Sequence, residues 1–554
     1  MADASYDAVI IGGGHNGLVA ALYLLNAGMT VAVLERQHEL GGGACSEELP
    51  LPGFVSNPCA NFHAFNRSPV WYDFQLYDKG ARYDFADTGT VTVFDDGTCF
   101  LSYPAVEVVD PITVTERFVP ENMAKTLREV ARFSHRDAET VSILFQKYQR
   151  KWRDAMNEWR LTPPLPWGEK DAIERLYDDP VDGIDPRYQF MTVKEVAWDL
   201  FESKELRIPF MRSAMMSAGC FPGDVMHPMD IIAQLRAIFT LFRPASPRSG
   251  THSMAHALQK ALSELGGKFF VHHEVDKILI ENGAAKGVRL VDGTTTEARK
   301  LVISNVGPNI TLLRLVGEEY ISHQLARKIR NFSYDRGNIF WAHFAHHELP
   351  QWKAADFNPD CLGVYKFWMT PKDPEGMAEK HQMEIFTRGI PEKLYMAGGT
   401  DSLNDKTRAP EGKHNTLVEQ FAAPARYFSE REWLRMKKEI VNEMVRQWQW
   451  YAPNMNWDNV IAGYANTPYD VEQRNINEHE GSWVLGAQTA SQMGRNRPCP
   501  ELAQYRTPIE NLYLCNGSQH YAGGMRGLNG YMCYKIMAED FGLPKVWQEK
   551  GRPY

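Results

Sequence analysis

The sequence predicts an α/β fold in which a Rossmann-like dinucleotide-binding domain is interleaved with a second, α+β domain. Three observations carry this. Residues 6–36 (YDAVIIGGGHNGLVAALYLLNAGMTVAVLER) read as a strand, a glycine-rich turn, a helix and a second strand. A second glycine-rich loop, residues 523–530, opens a helix near the other end of the chain. Between them, helical and short-strand patterns replace one another several times, as they do when one domain is assembled from separated segments. At 554 residues the chain is too long for one simple core.

Residues 7–11 form a short apolar strand, and Gly12, Gly14 and Gly17 follow at the G-x-G-x-x-G spacing. Gly12 permits the tight turn, Gly14 lets the backbone approach a pyrophosphate, and Gly17 lets the helix of residues 18–27 pack on the sheet. The helix N-terminus offers free N–H groups and a partial positive charge to phosphates. Glu35 closes the second strand, residues 29–34. Its carboxylate can accept hydrogen bonds from ribose hydroxyls and would repel a 2′-phosphate, so FAD or NAD is expected rather than NADP. Gly41, Gly42 and Gly43 make a further flexible loop that can pass close to a cofactor. His63, between Phe62 and Phe65, is either a group near the cofactor or substrate, or an ordinary loop histidine.

Residues 81–104 alternate as short strands, with Asp95-Asp96-Gly97 as a hairpin turn. Residues 112–158 read as helical with charged faces, and residues 161–168 (LTPPLPWG) as a proline-rich connector. Residues 191–243 read as further helices. Within them, residues 231–242 carry Arg236 as their only charge, which suits a tunnel wall, a lipid interface or a buried core helix. At Arg248 the chain returns to the first domain, with a helix at 253–265 and strands at 269–272, 275–281, 287–291 and 301–304. Residues 331–496 mix short strands with helices, and 429–450 read as a surface helix. A last strand, 512–515, leads through the second glycine-rich loop into a helix at 527–541.

A net charge of −9 with no basic stripe argues against a nucleic-acid partner. Eight scattered cysteines without a C-x-x-C pair suit reduced thiols, and the N-terminus has no signal-type core, so a cytoplasmic protein is expected. The longest apolar run, 18–34, is broken by Asn26, Gly28 and Thr30 and is no membrane span. The sequence is compatible with peripheral membrane contact through residues 231–242, and with a homo-oligomer. His252 and His256 stand four apart on one helix face, but with no third ligand in sight no metal is expected. His343, His346 and His347 either line a substrate cavity or are solvated at a strand end.

Several of these segments together resemble the flavin-dependent phytoene dehydrogenase-like oxidoreductases, relatives of the amine oxidases. The resemblance rests on the opening fingerprint, the glycine cluster followed by Pro52-Gly53-Phe54, the hairpin 287–293 (GVRLVDG) and Ser304-Asn305. It continues through Thr467-Pro468, Arg497-Pro498, residues 505–509 (YRTPI) and residues 523–527 (GGMRG). Gly43 stands where many members carry an arginine, and Asn516 and Tyr521-Ala522 also depart from the family pattern. The resemblance implies a glutathione-reductase-type topology, with residues 1–105, 248–330 and 500–554 binding FAD. Residues 106–247 and 331–499 would then bind substrate. It implies non-covalent FAD against Gly12, Gly14, His15, Asn16, Gly17, Glu35, Arg36, Gly42, Gly43 and Ala44. The remaining contacts would come from Val275, beside the adenine, and from Asn516, Gly517, Gly524, Met525, Arg526 and Gly527. His520, Tyr521, Arg526 and His63 would stand near the reacting face. The implied reaction moves hydride between a substrate C–H bond and flavin N5, in desaturation, saturation or isomerisation of an apolar, aromatic or isoprenoid-like small molecule. Oxidation of a C–N bond, as in amine oxidases, and a non-catalytic FAD-binding protein are the competing readings.

Overall fold

The computed structural model describes residues 4–60 and 65–553, so His63 lies outside the described residues. The strand Ala4–Ile11 is central to the first sheet. It runs parallel to Val31–Leu34 on one side and to Thr295–Ser304 on the other. Lys268–Phe270 extends the sheet beyond Val31–Leu34. Ala8 and Ile10 face one hydrophobic cluster, whereas Val9 and Ile11 face another. Burial on both faces is what a parallel sheet covered on two sides requires, and it explains the unbroken apolar run.

Thr295–Ser304 is long enough to serve two purposes. Its first half pairs antiparallel with Ala284–Leu290, which pairs with Val275–Glu281. Its second half pairs parallel with Leu512–Leu514. The end of the chain is thereby placed beside the opening strand. The helices His15–Asn26 and Leu528–Phe541 cross closely at Gly530, where a Cβ would come within 2.2 Å of the Asn16 carbonyl oxygen.

The second sheet has the order Val460–Asn466, Ile339–His346, His414–Phe421, Met396–Gly399, Lys366–Thr370, Thr90–Phe94, Cys99–Ser102. Thr90–Phe94 and Cys99–Ser102 come from the first expected cofactor segment, 1–105, yet they pair in this sheet. Sequence pattern identifies a strand but not the sheet that it joins. On one face, Phe344 and Phe367 pack against Trp448 of the helix Glu430–Tyr451, with ring centres 5.6 and 6.1 Å apart. That helix opens with a capping box between Ser429 and Glu432 and buries Trp433, Met436, Ile440 and Met444, at i, i+3, i+7 and i+11. The buried stripe faces the sheet, while Glu430, Arg431, Arg435, Lys438, Glu439 and Arg446 stay exposed, as expected of a surface helix with a solvated charged face.

The region expected to be helical from residue 112 instead begins with a hairpin, Val106–Asp110 with Thr115–Phe118. Helices Pro120–Ala131, His135–Lys147 and Arg153–Leu161 follow, then Lys204–Ser217 and Pro228–Ile238. Pro228–Ile238 is largely buried, which leaves its apolar face to the protein interior rather than to lipid. Among the described residues no helix is long and apolar enough to cross a membrane.

Candidate functional site

The opening turn is built around close approaches. Gly12 has φ +91°, open to glycine at little cost. A Cβ on Gly17 would lie 2.5 Å from the Gly12 carbonyl oxygen, so the helix can seat on the turn only with glycine there. Gly14 faces Gly42, whose own Cβ would come within 3.2 Å of the Gly14 Cα. Asn305 Nδ2 donates to the carbonyls of Gly12 and Gly14, each at 3.2 Å, and ties the turn to the Thr295–Ser304 strand. Glu35 is buried, and its carboxylate accepts from Gly13 N–H at 2.7 Å and from Gln37 N–H at 2.8 Å. Each oxygen so held still has lone-pair capacity for a ligand hydroxyl.

Two cavities meet at this turn. The first is a slot lined by Gly12, Glu35, Arg36, Val275, Arg314 and Arg474. The second is a large chamber lined by His15, Asn16, Gly43, Asn516, Gly517, Tyr521, Gly524, Met525 and Arg526. Gly14, Gly42, Asn475 and Asn477 line both. Asn477 donates to the Asn305 carbonyl at 3.0 Å and accepts from Gly307 N–H at 2.9 Å. Asn305, Asn475 and Asn477 are absent from the sequence-derived contacts. Asn305 closes a recognisable Ser-Asn pair, whereas the other two carry no local signal.

The chamber lies between the sheets. Trp341, Glu419, Ala397 and Trp368 are successive cross-strand neighbours on the face opposite Phe344 and Phe367, and form its floor. Met156, Arg160, Met216, Asp230, Gln234 and Arg236 reach it from the helices. Burial pushes the Asp230 carboxyl up to about 7, against the pull of Arg526, Arg497 and Arg160. Glu419 is likewise pushed up to about 7 by burial, and Lys366 down to about 8. Glu478, beside Gly43 at the neck, is raised to about 7 by burial. The His15 imidazole is lowered to about 4 by burial, despite a bond to the Gly524 carbonyl, and its Nε2 has no partner.

Not every expected site residue reaches these cavities. Gly17, Ala44 and Gly527 line neither, although all three lie beside residues that do. Gly527 instead begins the Leu528–Phe541 helix at φ +69°, where a Cβ would stand 2.9 Å from the Phe65 ring. His520 is buried behind the chamber. Its Nε2 donates to the Trp159 carbonyl at 2.9 Å, and its ring stands edge-on to Trp159 with centres 4.3 Å apart. Tyr521 does line the chamber and accepts from Arg526 Nη1. His343 and His346 are also buried, bonded to Ser56 Oγ at 2.6 Å and Thr416 Oγ1 at 2.8 Å, so they are neither solvated nor cavity-lining. Among the described residues no cluster of three or more His, Cys, Asp or Glu side chains could hold a metal ion.

Arg497 shows what the Arg-Pro pair does. Its fully buried guanidinium donates to the carbonyls of Val484, Leu485, Gly486, Ala487, Gln492, Gly517 and Gln519. It therefore fixes the Asn516–Gly517 wall of the chamber to the segment 484–492.

A slot, a glycine-walled neck and a wide chamber in series fit FAD. The neck, bounded by backbone at Gly14 and Gly42 beside a helix N-terminus, suits a pyrophosphate, and the held Glu35 carboxylate suits a ribose. Fold and site together define an FAD-dependent oxidoreductase. The chain belongs to the flavin containing amine oxidoreductase family, whose model matches residues 17–527. It is 25% identical to a limonene dehydrogenase polypeptide of Castellaniella defragrans, over 98% of this chain and 96% of that one. It is 23% identical to a phytoene desaturase (neurosporene-forming) of Rhodobacter capsulatus, over 74% of this chain and 71% of that one. The fold is similar to that of putrescine oxidase bound to putrescine, with TM-score 0.59 and 13% identity over 97% of this chain and 99% of that one.

Proposed function

We propose that the enzyme takes hydride to or from a C–H bond of a small molecule with an apolar or aromatic body, in a desaturation, saturation or isomerisation. The observation that carries this reading is the chamber itself, floored by Trp341 and Trp368 and walled by Met156, Met216 and Phe242, opening directly onto the glycine neck. Limonene, phytoene and prolycopene, in the names of its relatives, are hydrocarbons of this character. The slot would hold the AMP end of FAD, with Glu35 on the ribose and Val275 at the adenine. Gly14 and Gly42 would flank the pyrophosphate. Asn516, Gly517, Gly524, Met525 and Arg526 would border the ring. Bound FAD supplies the hydride-accepting centre.

The chain's own residues position the substrate and exclude water from it. Asp230 Oδ2, buried and without a partner, can hold or release a proton near neutral pH on the substrate side. Amine oxidation fits less well at the wall formed by Arg160, Arg236 and Arg526, where an ammonium group would meet three cations, although Asp230 and Glu419 line the same chamber. The scatter of the eight cysteines, none in a C-x-x-C pair, supports a cytoplasmic location. The test is anaerobic: FAD-loaded enzyme is mixed with terpenoid hydrocarbons, with their unsaturated products and with amines. Bleaching of the flavin band by the hydrocarbons supports the reading, whereas bleaching by amines alone overturns it.

A further inference from the structure

One wall of the chamber has an excess of hydrogen-bond donors. Arg160 comes from the helix Arg153–Leu161, Arg236 and Gln234 from Pro228–Ile238, and Arg526 from the C-terminal glycine loop. Arg67 and Arg243, also on the chamber, are neutralised by Glu116 and Asp87. Among the described residues Arg160, Arg236 and Arg526 have no such salt bridge. They are held by aromatic rings instead. Arg160 and Arg526 lie over the Tyr521 ring, 5.0 and 4.9 Å from its centre, and Arg236 lies 5.0 Å over Phe242. A ring beneath a guanidinium leaves its N–H donors to other partners; Arg526 gives one of them, Nη1, to the Tyr521 hydroxyl.

The polar atoms on this wall are also unsatisfied. Arg160 Nε, Arg236 Nε and Gln234 Nε2 are buried without an acceptor. Gln234 uses its other terminus to accept from Ser213 Oγ at 2.7 Å, which orients its amide nitrogen. Burial lowers Arg160 to about 10 against the pull of Tyr521, and Arg526 and Arg236 add to the lowering. Cations gathered in a low-dielectric wall are unfavourable until an anion arrives. Asp230 faces the same wall and supplies at most one negative charge against three positive ones.

We propose that Arg160, Arg236 and Gln234, with Arg526, bind a carboxylate carried by an otherwise apolar substrate. A planar two-oxygen anion matches the free edge of a stacked guanidinium. The Asp230 carboxyl beside it suits a singly charged carboxylate better than a doubly charged phosphate. The inference rests on the chamber being the substrate site of an FAD enzyme, and it adds that the substrate is an acid with a fixed head-to-tail orientation.

The test uses FAD-loaded enzyme and three probes of one shape, 4-phenylbutanoate, 4-phenylbutanol and 4-phenylbutylamine. Binding is followed by calorimetry and by perturbation of the flavin absorption band. The acid should bind at least about tenfold more tightly than the alcohol, and the amine most weakly. Arg160→Gln and Arg236→Gln should each weaken the acid about tenfold and leave the alcohol within about threefold. The FAD dissociation constant should not move in either variant. Equal binding of acid and alcohol to the unaltered enzyme overturns the proposal, as does absence of acid binding up to millimolar concentration. Variants that lose FAD rather than acid would assign these arginines to the cofactor and equally overturn it. Failure of the unaltered protein to take up FAD would instead defeat the functional reading on which the proposal rests, and it is seen before any probe is added.

Discussion

Gly14 and Gly17 lie three residues apart in one turn, and the structure assigns them different sensitivities. A methyl on Gly17 would stand 2.5 Å from the Gly12 carbonyl oxygen, a backbone atom that cannot rotate away. Gly17→Ala must therefore lift the helix His15–Asn26 from the turn, at an overpacking cost of about 1–3 kcal/mol. A methyl on Gly14 would stand 2.9 Å from Asn305 Nδ2, the end of a side chain, and Gly14 already has the ordinary φ of −67°. Gly14→Ala then costs at most the two Asn305 bonds at 3.2 Å, about 1 kcal/mol if they lengthen. The same methyl, however, points into the neck between the two cavities. Holding a pyrophosphate away from even one backbone N–H forfeits a charge-assisted hydrogen bond of about 1.5–3 kcal/mol, or roughly 10- to 150-fold in affinity. The assay measures two quantities: thermal unfolding of the FAD-free protein, and FAD affinity by quenching of flavin fluorescence. Gly17→Ala should lower both. Gly14→Ala should leave unfolding within a few degrees of the unaltered protein and weaken FAD by at least tenfold. An unchanged FAD affinity in Gly14→Ala would refute the placement of the pyrophosphate.

Three further outcomes follow from the geometry. Glu35→Arg removes the acceptor of the Gly13 and Gln37 N–H groups and sets a cation where ribose hydroxyls should bond, so FAD affinity should fall by about 100-fold or more; undiminished FAD content on purification would sink the assignment. Arg497→Lys cannot reproduce a planar donor fork spread over seven carbonyls, and should cost about 3 kcal/mol or more in chemical denaturation; a loss below about 1 kcal/mol would show that the segment 484–492 holds without it. Asp230 faces Arg160, Arg497 and Arg526 and keeps its proton to about pH 7 when folded, against 3.8 in the unfolded chain. The stability that it contributes is thus fully present below about pH 4 and is lost as pH rises through 7. Asp230→Asn should gain on the unaltered FAD-free protein between pH 5 and pH 8, by up to about 4 kcal/mol at the upper end, read from melting temperatures. A difference independent of pH would show that Asp230 is already charged at pH 5.

The sequence by itself determined what is local and covalently close. The turn of Gly12, Gly14 and Gly17, the helix after it and Glu35 lie within one βαβ unit, where spacing alone dictates what can approach a phosphate. The second glycine loop is legible for the same reason, whereas the Arg-Pro and Ser-Asn pairs stand out only through the family resemblance, and what Arg497 holds is not legible at all. Tertiary structure decided everything that depends on which segments meet. Thr90–Phe94 has the same alternation as any strand, and only its pairing with Lys366–Thr370 places it beneath the chamber rather than in the cofactor sheet. His520 sits three residues before the glycine loop, yet packing on Trp159, 361 residues earlier, turns it away from the cavity. The cationic wall is the clearest case. Arg160, Arg236 and Arg526 carry no shared motif: Arg526 is legible from its glycine loop and Arg236 only as the lone charge of an apolar helix, whereas Arg160 alone would read as a solvated charge. Folding brings them to one surface, sets them over Tyr521 and Phe242, and among the described residues leaves them without a salt bridge. Long-range pairing, which no local pattern encodes, sets that arrangement.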